Sequence, residues 1–342
     1  MADLRKVSGM AFAAVMLTLT PLTWPVAAAQ CPSPAALGAR RIPAFFDQGR
    51  VLAAPVTANG DTLFFILDSG GGFNAINAAV LSRFGLTPTI RGSGSDTMSV
   101  VPFPSSIDSM QLPRPRAGFP GPGYLAASTL FDQLARMYPV KVTGFLGGGW
   151  WADRVWRIDY PARMLWLFPR SVLPTNTSTL GPHEVRVTFR SVDGRRPTNF
   201  ARLRAEVDGD SLDLLFDTGA TTQLTDSAMA IVHDGRPAGR GGSFISSEIF
   251  DRWHTRHPDW RVIPRGEVGT HAPMIEVPSM QLGGYTLGPV WWEERGSTGF
   301  HKLMDGLMDQ PIQGSLGGAA FRHLAVTIDY VAGVACFDAP VQ

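Results

Sequence analysis

Short runs of apolar residues, separated by polar turns, recur along most of the chain and predict β-strands rather than long helices. Two of these runs, residues 51–56 and 62–67, flank Asn59-Gly60, a dipeptide typical of β-hairpin turns. Two more, residues 201–207 and 211–216, flank Asp208-Gly209 in the same way. The pattern therefore predicts two β-hairpins, each ending in a strand apolar enough to be buried.

Each predicted hairpin is followed by the same kind of tripeptide. Asp68-Ser69-Gly70 follows the first hairpin and Asp217-Thr218-Gly219 the second, with the aspartate eight residues after the turn glycine in both copies. A Gly-rich segment and two apolar segments then close each copy. They are residues 144–148, 155–160 and 165–168 in the first copy, and 314–318, 325–330 and 334–337 in the second. We interpret this repetition as an internal duplication.

The duplication predicts two lobes joined by a linker. Residues 169–182, which are polar and turn-forming, are predicted to link an N-terminal lobe of residues 45–168 to a C-terminal lobe of residues 183–342. The C-terminal lobe is the longer one, because 97 residues separate its aspartate from its closing glycine, against 76 in the first lobe. We place the additional residues between Ile231 and Pro273, where they either roof the cleft or decorate the rim, and we favour decoration.

The first residues have the organisation of an export signal. Residues 1–29 combine a basic start, an apolar stretch too short to span a bilayer and a terminal Ala27-Ala28-Ala29. An uncleaved signal anchor is the alternative. We therefore predict an exported protein, periplasmic or secreted. Export permits a disulfide between Cys31 and Cys336, the only two cysteines, and two free thiols are the alternative.

Composition narrows the possible functions. The chain has 342 residues, 44% of them hydrophobic, so a substantial core is expected, and 37 glycines with 27 prolines favour a turn-rich, strand-rich fold. Because 30 Lys and Arg face 29 Asp and Glu, the charge argues against binding to nucleic acid or to an anionic membrane surface. Two cysteines are too few for a Cys-based zinc site.

The two aspartates suggest a specific chemistry. Two carboxyl groups that face each other share a proton, since both cannot ionise cheaply. The ionised member can take a proton from water while the protonated member polarises a carbonyl, so neither a metal nor a cofactor is required. We expect the Ser69 and Thr218 hydroxyls to bond the backbone of the opposite loop. We expect Gly70 and Gly219 to allow tight turns.

These motifs resemble the aspartic proteases, and most closely the bacterial retropepsin-like aspartyl protease family, with two copies in tandem as in pepsin-like proteins. The resemblance implies an all-β, bilobal fold of two duplicated retropepsin-like domains with a cleft between them. It implies a monomeric aspartic endopeptidase whose catalytic residues are Asp68 and Asp217, supported by Ser69, Gly70, Thr218 and Gly219. The partner is then a peptide or protein substrate. The alternative is a non-catalytic peptide-binding protein on the same duplicated fold.

The sequence departs from the family pattern in three places. Gly71 stands where the family usually has alanine. The next apolar residue is Ile76 in the first lobe, eight residues after the aspartate, but Leu224 in the second, seven residues after it. A Gly-bearing hairpin near residues 91–101 could cover the cleft, but it contains no aromatic residue to contact a substrate.

Other candidate groups receive structural interpretations. His254 and His257 could bind a metal, but no third ligand is evident, so we predict a surface helix ending at Pro258. Asp159 and Asp329 are predicted as surface or turn residues at strand ends. The two tryptophan pairs, at 150–151 and 291–292, are predicted to pack in the core or at the rim.

Overall fold

The computed structural model describes residues 31–92, 97–129, 131, 137–175, 180–296 and 298–339. The predicted export signal, residues 1–29, lies outside this part of the chain. Within it, the first half contains the strands β1 (Arg40–Ile42), β2 (Ala44–Asp47), β3 (Arg50–Ala53), β4 (Phe64–Leu67), β5 (Asn74–Asn77), β6 (Thr89–Arg91), β7 (Met98–Pro102), β8 (Tyr124–Ser128), β9 (Val142–Leu146), β10 (Val155–Asp159) and β11 (Met164–Phe168). A 3-10 helix spans Ala78–Phe84, and the short helix α1 spans Gly148–Trp151.

The second half repeats this plan with more elements. Its described strands are β12 (Glu184–Arg186), β13 (Arg202–Val207), β14 (Asp210–Asp217), β15 (Thr221–Gln223), β16 (Gly239–Gly241), β17 (Phe244–Ser246), β18 (Val262–Ile263), β19 (Met274–Val277), β20 (Met280–Leu282), β21 (Tyr285–Leu287), β22 (Val290–Arg295), β23 (Gly314–Gly317), β24 (Ala325–Asp329) and β25 (Val334–Asp338). The helices are α2 (Asp226–Val232), α3 (Ser247–Arg256), a π-helix at Thr298–Met304 and a 3-10 helix at Gly318–Phe321.

Both halves contribute to one sheet at the centre of the molecule. Its described strands follow the order β1-β11-β10-β24-β25-β12, so that β10 of the first half lies beside β24 of the second. The two strands are antiparallel, and Arg157 pairs with its own counterpart Thr327 at the middle of the ladder. A pseudo-twofold axis therefore passes between these two residues.

Each half also forms a sheet of its own, and the two sheets have the same arrangement of strands around the closing strand. In the first, β9 lies between β4, to which it is parallel, and β5, to which it is antiparallel. In the second, β23 lies in the same way between β14 and β17. The first aspartate directly follows β4 and the second ends β14, so both lie where the two halves meet. The predicted fold class, a mostly-β and bilobal protein with two duplicated halves, is confirmed.

The predicted hairpin turns have the backbone that their residues favour. Gly60 has a φ of +85°, and Asp208 and Gly209 have φ values of +50° and +79°. Positive φ is accessible to glycine and tolerated by aspartate, which explains why these dipeptides connect the strands. Around both hairpins a continuous core includes the fully buried side chains of Trp150, Trp151 and Trp156.

The strand register corrects one equivalence between the halves. Ile76 pairs with Gly144, and Ile245 pairs with Gly314, the corresponding closing glycine. Ile245 is therefore the counterpart of Ile76, and the equivalence predicted for Leu224 is wrong. Similar local spacing favoured Leu224, whereas sheet pairing decides the equivalence.

The same register relocates the additional residues of the second half. Ile76 follows its aspartate by eight residues and Ile245 follows its own by 28, which accounts for nearly all of the length difference. The additional residues form β15, α2 and β16, so our placement between Ile231 and Pro273 is wrong. We call residues 221–241 the insertion. It is not a rim decoration, because Gly241 donates a backbone hydrogen bond of 2.8 Å to Gln48 of the first half.

A third correction concerns Asp329, which ends its strand as predicted but is fully buried rather than on the surface. One carboxylate oxygen accepts bonds from Ser171 and Val172 at 2.6 and 3.0 Å, and the other accepts from the backbone of the following turn. The carboxylate therefore fastens the segment after β11 to the central sheet. Asp159, its counterpart, is half-buried and caps its own turn through Ala162.

Cys31 and Cys336 form a disulfide across a sequence separation of 305 residues. The bond fastens the start of the described chain to β25, and it is compatible with an exported protein. Among the described residues, no helix has the length and apolar character needed to cross a membrane.

Replacing both cysteines by serine is expected to lower the free energy of unfolding by about 3 to 5 kcal/mol, because the unfolded chain loses a long closed loop. Urea denaturation of the oxidised wild type and the double variant measures this difference. Reduction of the wild type should reproduce the loss, and an unchanged midpoint in the variant would contradict a stabilising role for the bond.

Candidate active site

The two aspartates meet at the interface between the lobes. Asp68 and Asp217 stand at the ends of the equivalent strands β4 and β14, and the carboxyl group of each packs against the glycine of the opposite tripeptide, so the two carboxyl groups lie close together. Both residues are half-buried. The structure thus brings together the two residues that the repeated tripeptides single out.

Four hydrogen bonds cross between the two aspartate loops. The Thr218 hydroxyl donates to Leu67 O at 2.8 Å and accepts from Ser69 N at 3.0 Å. Symmetrically, the Ser69 hydroxyl donates to Phe216 O at 2.6 Å and accepts from Thr218 N at 3.0 Å. Ser69 and Thr218 are themselves buried. Each hydroxyl therefore satisfies two backbone groups of the opposite half, and these bonds fix the relative position of the loops.

Gly70 and Gly219 are required for space rather than for a special turn. A Cβ atom on Gly219 would lie 2.1 Å from Cγ of Asp68, and one on Gly70 would lie 2.8 Å from Cγ of Asp217. Neither glycine has a positive φ. The conformational reason expected from the sequence is therefore replaced by a steric one. Each glycine also donates its N–H to the aspartate of its own loop, at 2.8 Å for Gly70 and 3.1 Å for Gly219.

The environment raises the pKa of both carboxyl groups. Burial raises the pKa of Asp68 well above its usual range, and the neighbouring Asp217 raises it further, against the N–H groups of Gly70 and Gly71. Burial also raises the pKa of Asp217, but the interaction with Asp68 and donors of its own loop oppose the shift. The pair therefore titrates as a unit that shares one proton.

The residue on the strand next to each carboxyl group also differs between the two halves. Ser315 on β23 lies near Asp217 and favours its anionic form, without reaching good hydrogen-bond geometry. Its counterpart in the first half is Phe145. A Cβ atom on Gly71 would lie only 2.5 Å from the ring of Phe145, so no side chain fits there. The unusual Gly71 is thus explained by the bulk of Phe145, whereas its counterpart Ala220 belongs to the half that has the smaller Ser315 in place of Phe145.

Several residues at the site carry no sequence motif that would identify them. The hydroxyls of Tyr160 and Tyr330 are buried and have no hydrogen-bond partner among the described residues. Burial raises the pKa of both, and the aspartate of the opposite half raises it further, Asp217 for Tyr160 and Asp68 for Tyr330. Their positions directly after Asp159 and Asp329 mark them only as part of the repeat.

The remaining candidates lie away from the aspartates or are only partly described. The hairpin β6–β7 exists, but residues 93–96 at its tip lie outside the described part of the chain. Helix α3 ends at Arg256, before Pro258, and His257 bonds Asp208 at 2.6 Å. Within the described residues, no group of three or more His, Cys, Asp and Glu side chains could ligate a metal ion.

A buried glutamate connects the site to the insertion. Glu293 on β22 is fully buried, accepts a bond of 2.7 Å from Thr222 of the insertion, and pairs with Arg295 at 2.8 Å. It lies in register with Phe244, which pairs in turn with Ser315 beside the aspartates. Burial raises the pKa of Glu293 to about 7, and Arg295 opposes that shift.

Comparison with known proteins returns only distant likenesses. No family model matches the chain, and no curated protein matches it. Among solved structures, it is similar to conglutin gamma, a basic 7S globulin from lupine seeds, with 11% identity and a TM-score of 0.46 over 88% of this chain and 94% of that one. It is also similar to an aspartic proteinase from Irpex lacteus, with 10% identity and a TM-score of 0.41 over 88% of this chain and 97% of that one.

Thr218→Val is expected to lower the free energy of unfolding by on the order of 2 to 4 kcal/mol, because it leaves Ser69 N and Leu67 O buried without partners. Thr218→Ser retains the hydroxyl and serves as the matched control, with a much smaller loss. Chemical denaturation of the three proteins measures both values, and equal losses in the two variants would show that the crossing bonds do not stabilise the fold.

Glu293→Gln should make stability less dependent on pH. The folded wild type keeps the Glu293 proton up to a pKa of about 7, so this group's contribution to stability is complete below the unfolded value and lost as pH rises towards 7. Relative to the variant, the wild type is expected to lose on the order of 2 to 3 kcal/mol between pH 5 and pH 8. Denaturation at both pH values tests this, and parallel pH profiles would contradict it.

Proposed function

We propose that this chain is an aspartic endopeptidase of the retropepsin-like and pepsin-like type, with Asp68 and Asp217 as its catalytic pair. The observation that supports the proposal is the set of crossed hydrogen bonds, which fixes the two aspartate loops so that the half-buried Asp68 and Asp217 lie close together. Because one chain supplies both aspartates, we propose that the enzyme acts as a monomer. The disulfide and the predicted signal support export to the periplasm or the medium.

The asymmetric environments assign roles to the two carboxyl groups. Asp217 is the more easily ionised member, so it acts as the base that takes a proton from water. The resulting water oxygen attacks the peptide carbonyl carbon, while the protonated Asp68 donates a hydrogen bond to the carbonyl oxygen. Breakdown of the tetrahedral intermediate transfers the proton that Asp217 took from water to the leaving nitrogen as the C–N bond breaks. The pair then returns to its singly protonated form.

Asp217→Asn and Asp68→Asn should each lower kcat/KM on an unfolded protein substrate by at least about 100-fold, because each removes an acid–base group. Asp251→Asn, at an exposed position on α3, is the matched control and should retain activity. Cleavage is followed by mass spectrometry of the fragments. Undiminished activity in Asp217→Asn would remove that residue from the mechanism.

The pH profile of cleavage should follow the shared proton. Activity needs Asp217 ionised and the proton on Asp68, and the pKa of both is raised, so activity should fall at low pH as Asp217 is protonated and fall again as pH rises through the pKa of Asp68. A profile that increases steadily into the alkaline range would contradict the assignment.

The alternative, a peptide-binding protein without turnover, predicts a different result. Peptide would then associate with wild type and Asp217→Asn alike, and no fragment would form at any pH. Parallel measurement of binding and cleavage separates the two functions.

A further inference from the structure

The space beside the two aspartate loops differs between the halves. Next to the first loop, a cavity of about 430 Å³ opens between the lobes. Gly71, Gly72 and Phe119 line it from the first half, and Phe200 and Leu307 line it from the second. Its size lies within the range of sites that bury a small ligand or a short peptide segment. Phe119 and the adjacent Phe73 remain 48% and 39% exposed, which favours apolar side chains in a bound chain.

The pseudo-twofold axis relates this cavity to a second position, next to the loop of Asp217. Strand register makes Gln48 to Arg50 of the first half equivalent to Thr198 to Phe200 of the second, which line the cavity. Met137 and Leu307, which are related by the same offset as the two closing glycines, each accept a 2.6 Å hydrogen bond at the carbonyl, from the non-equivalent donors Arg50 and Thr198. Equivalent backbone segments therefore line the two positions.

The insertion occupies the second position. Gly241 N reaches Gln48 O at 2.8 Å, and the Arg50 guanidinium donates to Gly239 O at 3.1 Å. No room remains at Gly239, where a Cβ atom would lie 3.0 Å from Met137 O. The first half has no segment equivalent to the insertion, which explains why only one of the two related positions is open.

Tyr138 completes the closure from the first half. Its hydroxyl lies 3.4 Å from Oγ1 of Thr221, two residues after the Asp217 tripeptide, and its ring stacks on the Arg50 guanidinium at 4.2 Å. The side chain is 8% exposed. Tyr138 thus spans the interface between the lobes immediately beside the catalytic pair, where a chain extending past Asp217 would have to pass.

We infer that the cleft is open at one end only, so that its substrates are the ends of polypeptide chains rather than internal segments. A chain bound across the aspartates extends along the open cavity past Phe119 and terminates against the Tyr138–Thr221 contact. This inference rests on the proposed peptidase function and keeps its catalytic pair, but it replaces internal cleavage, as by an endopeptidase, with removal of short terminal pieces. Tyr138 and Thr221 are specificity-determining residues in this view.

A linear apolar peptide and its head-to-tail cyclised form, which has no ends, provide the test. Fluorescence anisotropy with the Asp217→Asn variant measures binding independently of turnover. The linear peptide is expected to bind at least about tenfold more tightly than the cyclic one. With the wild type, the first cuts in the linear peptide should lie close to one terminus, and the cyclic peptide should stay intact. Equal binding of the two peptides, binding of neither, or first cuts in the interior would overturn the inference.

Variants at the closed end separate this inference from the proposed function. In the Asp217→Asn background, Tyr138→Ala and, if that protein does not fold, Thr221→Ala should narrow the difference in affinity between linear and cyclic peptide. Thr286→Ala, on the distant strand β21, is the control and should leave it unchanged. Selective binding of linear peptide without cleavage by the wild type would uphold the one-ended cleft and contradict the peptidase. Cleavage of both peptides by the wild type would support the peptidase function and contradict the one-ended cleft.

Discussion

The reciprocal hydrogen bonds of Ser69 and Thr218 are the constraint on which the candidate site depends. Two carboxyl groups that lie close together repel each other once both ionise. Without other contacts, the two aspartate loops would move apart and reduce this repulsion. The crossed bonds prevent this because each hydroxyl satisfies two backbone groups of the opposite half. Moving the loops apart would leave those groups buried without partners, which costs more than the repulsion that sharing one proton already reduces.

The duplicated plan supplies symmetry, and the two halves have since diverged where the chemistry requires different partners. The first half has Phe145 on β9 with Gly71 in the aspartate loop, and the second half has Ser315 on β23 with Ala220 in the equivalent loop position. The larger side chain on the strand thus occurs with the smaller residue in the loop. The same pair of positions gives the two carboxyl groups unequal surroundings. Unequal surroundings are useful for acid–base chemistry, since they determine which carboxyl group holds the proton.

The sequence allowed prediction of features that depend on local pattern. Both hairpins, the position of each aspartate at a strand end and the strands of the central sheet follow from short-range periodicity and turn residues. The equivalence of Ile245 and Ile76 did not, because it depends on pairing with strands about 70 residues further along. The burial of Asp329 depends on contacts with residues near 171, and Tyr138 acts through a residue of the other half. Such long-range contacts leave no local pattern to read.

The symmetric pairing of β10 with β24 also bears on the origin of the chain. Because Arg157 faces its own counterpart, a single half would present an uncovered strand whose best complement is the same strand of another molecule. An ancestral half-length protein would thus have been a homodimer with one aspartate from each subunit. Fusion of the two genes released each copy from the requirement to match itself, and it permitted a segment such as the insertion to arise on one side alone.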